Sequence, residues 1–157
     1  QPTLLLPHSF VQSVQEVEIH MRLVRLKGIT HLCVEGEGNE ALACVLRQKY
    51  LSTQDTAFGL MFVKKDSLGL SIDPYVWVKD TNTVYHETAC GSGSIAAAFA
   101  CGSTYAPTSV GQPTGERYVV SSHPSLPSAG EISLSGAVVY FGERLVTLDT
   151  AYSSFHL

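Results

Sequence analysis

The segment Ile95-Ala-Ala-Ala-Phe-Ala-Cys101 most constrains what this chain can fold into. It has helical composition but no polar position on any side, and a helix without a polar face must be enclosed by protein. Whatever else the 157 residues form has to surround it. The rest of the chain supplies strands. Val14 to Leu26 alternates apolar Val17, Ile19, Met21 and Leu23 with Glu18, His20 and Arg22, the period of a half-buried strand. Gly28 breaks it, and Thr30 to Val34 reads as a second strand. Asn39 offers an N-cap for a helix from about Glu40 to Lys49, with Leu42, Val45 and Leu46 predicted inward.

Thr56 to Lys64 and Tyr75 to Lys79 are rich in aromatic and β-branched residues, and Pro74 is expected just before the second of these strands. Further strands are predicted at Arg117 to Ser122, Glu131 to Phe141 and Arg144 to Asp149, with Pro/Gly/Ser-rich loops at 102–116 and 123–130. This inventory predicts an α+β fold, a mostly antiparallel, barrel-like sheet wrapped around the buried helix. The domain is expected over 14–149. Residues 1–13 read as a linker or partner-contacting segment, and 150–157 as a tail.

Composition excludes several partner classes. With 45% hydrophobic residues, 15% charged and a net charge of −4, the chain carries neither a disordered composition nor a basic footprint for nucleic acid. No apolar run approaches the ~20 residues that span a bilayer, so no membrane partner is expected. Cys33, Cys44, Cys90 and Cys101 lack C-x-x-C spacing, which disfavours zinc and suits reduced thiols in the cytoplasm. The start, Gln1-Pro2-Thr3, has neither a signal-peptide pattern nor an initiator Met, which raises the expectation of a piece of a longer chain.

The chemistry concentrates in His86-Glu-Thr-Ala-Cys90-Gly-Ser-Gly-Ser94. A cysteine here leads into glycines at a helix start, where free N–H groups and the helix dipole together form an anion site. Gly91 and Gly93 allow close approach to the backbone. The same field is expected to lower the Cys90 pKa toward neutrality and give a usable thiolate. Cys33, Cys44 and Cys101 read as small buried hydrophobes.

Glu87-Thr-Ala-Cys-Gly-Ser-Gly93 resembles the E-T-(L)-A-C-G-S/T-G signature of the diaminopimelate epimerase family of cofactor-independent amino-acid racemases. Weaker matches keep the same order. Gly28-Ile-Thr-His31 resembles the G-x-P-H strand entry, and Ile132 to Glu143 resembles the closing strand. The resemblance spans about 14–149. It implies one half of a two-half fold, with this chain similar to the second half, since the C-G-N-G turn of the first is absent.

The resemblance further implies racemisation by two cysteines acting on opposite faces of the α-carbon, one of them Cys90 and the other from the partner half. Gly91, Ser92 and Gly93 would hold the substrate carboxylate. No pyridoxal phosphate, other cofactor or metal is implied. The family's E-R-G arginine is missing, the region reading Lys79-Asp-Thr-Asn-Thr-Val84, which disfavours a substrate with two amino-acid ends. The H-E-T-A-C-G-S-G-S form is similar to histidine racemases that supply D-histidine for opine-type metallophores. A diaminopimelate epimerase, another same-fold isomerase and an inactive carboxylate-binding half are the competing readings.

Two roles stand open for each of three flanking residues. Glu87 pairs the substrate ammonium or braces the turn, His31 lines the cleft or is hydrogen-bonded inside, and His86 meets a substrate imidazole or faces solvent. Tyr75 and Trp77 are expected in the core, and His8, His20, His123 and His156 show no ligand spacing. Oligomeric state is open, a homodimer included.

Overall fold

The computed structural model describes residues 1–102, 106–123 and 130–137. These hold ten strands and two α-helices in an α+β arrangement. The elements are β1 (Thr3–Pro7), β2 (Val11–Glu18), β3 (Met21–Leu26), β4 (Ile29–Glu35), α1 (Glu40–Tyr50), β5 (Ala57–Asp66), β6 (Gly69–Val78), β7 (Thr83–His86), α2 (Gly91–Ala100), β8 (Thr108–Gly111), β9 (Arg117–His123) and β10 (Glu131–Ser135). The expected strand at 144–149, the tail at 150–157 and the end of the segment 131–141 lie outside the described residues.

One mixed sheet contains all ten strands, in the order β1-β10-β9-β8-β6-β5-β4-β3-β2, with β7 paired to β6. The β4–β5 and β6–β8 pairs are parallel. The outermost strands, β1 and β2, are consecutive in the chain and separated only by a short 3-10 turn, His8–Phe10. Nine strands side by side in a flat sheet would set the edges about 38 Å apart, whereas this connection spans at most about 15 Å. The sheet therefore curves until its two edges approach. His8 N–H donates to Gly130 O (2.8 Å) and Lys27 N–H to Phe10 O (2.9 Å), tying the turn to both sides.

One face of the sheet packs on α2, which contacts β3, β4, β5, β6, β8 and β9. Seven residues of α2 are buried, from Gly93 to Ala98 together with Ala100, and its alanines let the strands approach closely. Val24, Cys33, Met61 and Val63 face α2. Leu23, Leu32, Phe58, Leu60 and Phe62, at alternating positions on the same strands, point to the other side, where Ala43 and Leu46 of α1 cover them. This two-sided burial explains why β5 is apolar without alternation. At the far end of α2, Arg22 donates to the carbonyl of Ala100 (2.9 Å), a cation at the negative pole of the helix.

Several expectations are corrected. The segment 14–26 is a hairpin of two strands, turning at Ile19-His20 with His20 at φ 63°. Pro74 lies within β6, opposite Met61. Its carbonyl accepts from Glu87 N–H (2.9 Å), so its bare nitrogen faces the same edge, where β6 passes from β8 to β7 and no ladder bond is needed. Residues 1–13 are no linker, since β1 pairs with β10. The stretch 102–116 contains β8. Asn39 caps α1 as expected, accepting from Leu42 N–H (2.9 Å), but Leu42 and Val45 are exposed and Ala43 and Leu46 are the buried pair.

Candidate active site

The site is built where β7 hands over to α2. Cys90 is the N-cap residue, extended at φ −140° and ψ 106°. Its backbone is fixed by a side chain the motif did not indicate, Gln112 in the β8–β9 connection. Gln112 accepts from Cys90 N–H (2.9 Å) through Oε1 and donates from Nε2 to Ser94 Oγ (2.9 Å) and Val110 O (3.1 Å). Ser94 Oγ donates in turn to Cys90 O (2.7 Å). A buried glutamine with both ends satisfied is a rigid strut. Nothing in its sequence context distinguished it from any other loop amide.

The Cys90 sulfur accepts from Gly93 N–H (3.3 Å) and lies 3.6 Å from Ser92 Oγ. Those donors favour the thiolate, as expected of a helix start. Burial outweighs them. Cys90 is 6% exposed, and loss of solvation, reinforced by the Glu87 carboxylate, pushes the thiol up to about 12. The expected lowering toward neutrality is therefore overturned: within these residues Cys90 is a thiol, a proton donor at neutral pH. Glu87, half-buried beside it, is the charge that most favours that protonated state.

His31 is completely buried, which corrects its placement as a substrate-binding residue. It sits on the α2 face of β4, opposite Gly59 of β5, and a Cβ on Gly59 would overlap the ring. Its Nε2 lies 3.0 Å from Ser92 Oγ. Burial depresses its pKa to about 3, so the ring is neutral. Of its two expected roles, the structure supports the internal hydrogen-bonded one.

The glycine-rich turn divides its labour. Ser94 N–H donates to Cys90 O (3.0 Å) and Gly93 N–H to the sulfur, so both are used within the turn. Gly93 is also buried against Met61 and Cys90, where a Cβ would collide with both sulfurs, and it cannot face a ligand as expected. Gly91 and Ser92 remain, half-exposed, their amides without a partner among the described residues. Gly91 borders a pocket of about 400 Å³ shared with Leu4, Tyr118, Leu134 and Gly136. This opening lies beside the helix start. The sulfur itself is not among its lining atoms.

Away from the turn, His86 is exposed, stacked on Tyr75 (centroids 4.4 Å apart) and paired with Asp73 (2.5 Å). Tyr75 and Trp77 are core residues, as expected. Cys33 is buried and Cys44 and Cys101 are half-buried, all free. No helix among the described residues is long and apolar enough to cross a membrane.

Residues 5–143 match the family model described as the histidine racemase CntK N-terminal domain. The chain belongs to this histidine racemase family. The description names an N-terminal domain where the motif order resembled the second half. A cysteine turn occurs in both halves of the fold that the resemblance implies, so the turn by itself does not fix the half.

Two histidine racemases of Fusobacterium nucleatum subsp. nucleatum are similar to this chain. The one from strain ATCC 23726 is 38% identical over 92 residues, and the one from strain ATCC 25586 is 36% identical over the same length. Each match covers 54% of this chain and 34% of the relative, so the shared stretch spans about a third of either racemase. A solved phenazine biosynthesis PhzC/PhzF protein from Clostridium difficile (strain 630) covers 92% of this chain and 57% of its own, at 10% identity and a TM-score of 0.44. That likeness carries no argument.

Proposed function

We propose that this chain is one half of a cofactor-independent histidine racemase, in which Cys90 is the acid–base group on one face of the substrate α-carbon. The observation that carries the reading is the seat of the Cys90 sulfur. It lies at the start of the enclosed helix α2, beside the Gly91 and Ser92 amides, which have no partner among the described residues, and a pocket borders Gly91. The curved sheet and its contacts with α2 support a barrel-like half of the kind the family resemblance implies.

The substrate carboxylate binds the Gly91 and Ser92 amides at the positive end of α2, and charge spreading onto it during deprotonation is stabilised there. A thiolate contributed by the complementary half takes the α-proton from one face. The Cys90 thiol then delivers its own proton to the opposite face, leaving the two sulfurs in exchanged states. Glu87 fits this cycle. A substrate ammonium drawn to its carboxylate would relieve the charge that holds the Cys90 proton, making the thiol a better acid on binding.

No other cysteine of this chain can serve as the second group. Cys33 is enclosed between β4 and α2, Cys101 lies beyond the opposite end of α2, and Cys44 is on α1 across the sheet. The complementary half and its cysteine are therefore required partners. The product D-histidine would enter an opine-type metal-chelating metabolite, and the free thiols suit a reducing cytoplasm.

The test is L-histidine incubated in D₂O with the whole protein. Deuterium should enter the α-carbon as circular dichroism decays, and Cys90→Ser should slow both by about 100-fold or more. Histidine bound without exchange would mean a carboxylate-binding half domain. Exchange insensitive to Cys90→Ser would remove Cys90 from the chemistry.

A further inference from the structure

His31 is a fully buried histidine to which the catalytic cycle above gives no task, and one of its ring nitrogens explains its position. Nδ1 has no hydrogen-bond partner among the described residues, and it is packed over Gly59 where a Cβ would not fit. Nε2 meets Ser92 Oγ at 3.0 Å, and that oxygen stands 3.6 Å from the Cys90 sulfur. A neutral imidazole carries one N–H. Were it on Nδ1, a buried donor would stay unpaired, and Ser92 would have to turn its proton away from sulfur toward Nε2. With the proton on Nε2, only a lone pair is orphaned and the Ser92 hydroxyl proton is free to point at Cys90.

We propose that His31 is a positioning residue for Cys90, acting through Ser92: its Nε2–H donates to Ser92 Oγ and aims the Ser92 hydroxyl at the sulfur. This rests on the reading of Cys90 as an acid–base group and deepens it. When the thiol gives up its proton, the thiolate meets two prepaid donors, Ser92 Oγ–H and Gly93 N–H, so no group has to reorient during the transfer. The groups facing the sulfur are Ser92 and Gly93 of α2, Glu87 before the helix and Met61 of β5. Of these only Glu87 is an acidic side chain, and it opposes ionisation of the thiol, so the donor pair is what counters it. Gly59 belongs to the same device, because its bare Cα makes room for the ring.

Two measurements on the whole protein test this. Nitrogen-15 shifts of the His31 ring should show the Nε2–H form, and an Nδ1–H form would overturn the proposal. Iodoacetamide alkylation against pH, read at the Cys90 peptide by mass spectrometry, should show Ser92→Ala slowing Cys90 about ten-fold at fixed pH, a pKa rise of about one unit. Ser92→Thr should stay within about two-fold of the parent. His31→Phe should match Ser92→Ala, and the double variant should lose nothing more, because both interrupt one chain. Additive losses, or an unchanged profile in Ser92→Ala, would overturn it; Ser92→Ala decides should His31→Phe fail to fold. A protein that keeps this alkylation pattern yet exchanges no histidine proton sinks the racemase reading alone.

Discussion

His31 and Cys90 are buried ionisable side chains held uncharged by the same patch of core, and they tie stability to pH in opposite ranges. The folded His31 pKa is depressed from 6.5 to about 3. Between those values the unfolded chain binds a proton that the folded chain refuses, so stability is present above pH 6.5 and is lost as pH falls toward 3. The slope from this residue is about 1.4 kcal/mol per pH unit. Urea midpoints measured from pH 7 to 4 should fall steeply in the parent and flatten in His31→Phe. For Cys90 the sign reverses. Its folded pKa of about 12 lies above the 9.0 of a free thiol, so its contribution is present below pH 9 and declines as pH rises through the alkaline range. Cys90→Ala should flatten that decline.

Among the elements, those with an unambiguous physical signature were legible in the sequence. An all-apolar helix has one solution, and Asn39 before an amphipathic run announces its cap, so α1 and α2 are where they were expected. The β2–β3 hairpin was hidden because Ile19-His20 contains none of the usual turn residues, although histidine tolerates the positive φ that His20 adopts. β8 was hidden inside a Gly/Pro/Ser-rich stretch, its four residues too few to show a period. The inward face of α1 was misjudged by one position, since Ala43 is buried and its larger neighbour Leu42 is exposed.

The site shows the same division. Cys90, Gly91 and Ser92 were legible as a motif. The Gln112 strut, the packing of Gly93 and the burial of His31 depend on what β4, β5 and the β8–β9 connection bring from elsewhere in the chain. Two substitutions separate a local device from a long-range one, both read by urea denaturation at constant m value. Asn39→Ala should cost about 1 kcal/mol, the worth of one N-cap. Gly93→Ala should cost about 1–3 kcal/mol, because its methyl meets Met61 and Cys90 in a filled core. Gly93→Ala should also alter Cys90 alkylation, whereas Asn39→Ala should not.

For the molecule as a whole, the middle of α2 is buried while Gly91 and Ser92 at its start are half-exposed, so in the proposed racemase the substrate approaches Cys90 from that end. In the proposed two-cysteine scheme, chemistry on the other face of the α-carbon comes from the complementary half. The 157 residues alone are expected to leave the circular dichroism of L-histidine unchanged, and adding the complementary half should restore its decay. Racemisation by these residues alone would refute the two-cysteine scheme.

The pairing of Thr3 with Ser135 also has a price during synthesis. At about 5–20 residues per second, β1 leaves the ribosome roughly ten seconds or so before β10 exists to receive it. Throughout that wait three consecutive leucines, Leu4 to Leu6, stand with unpaired backbone, the exposure on which chaperones act. The length of that exposure is thus set by how far apart in the chain β1 and β10 lie.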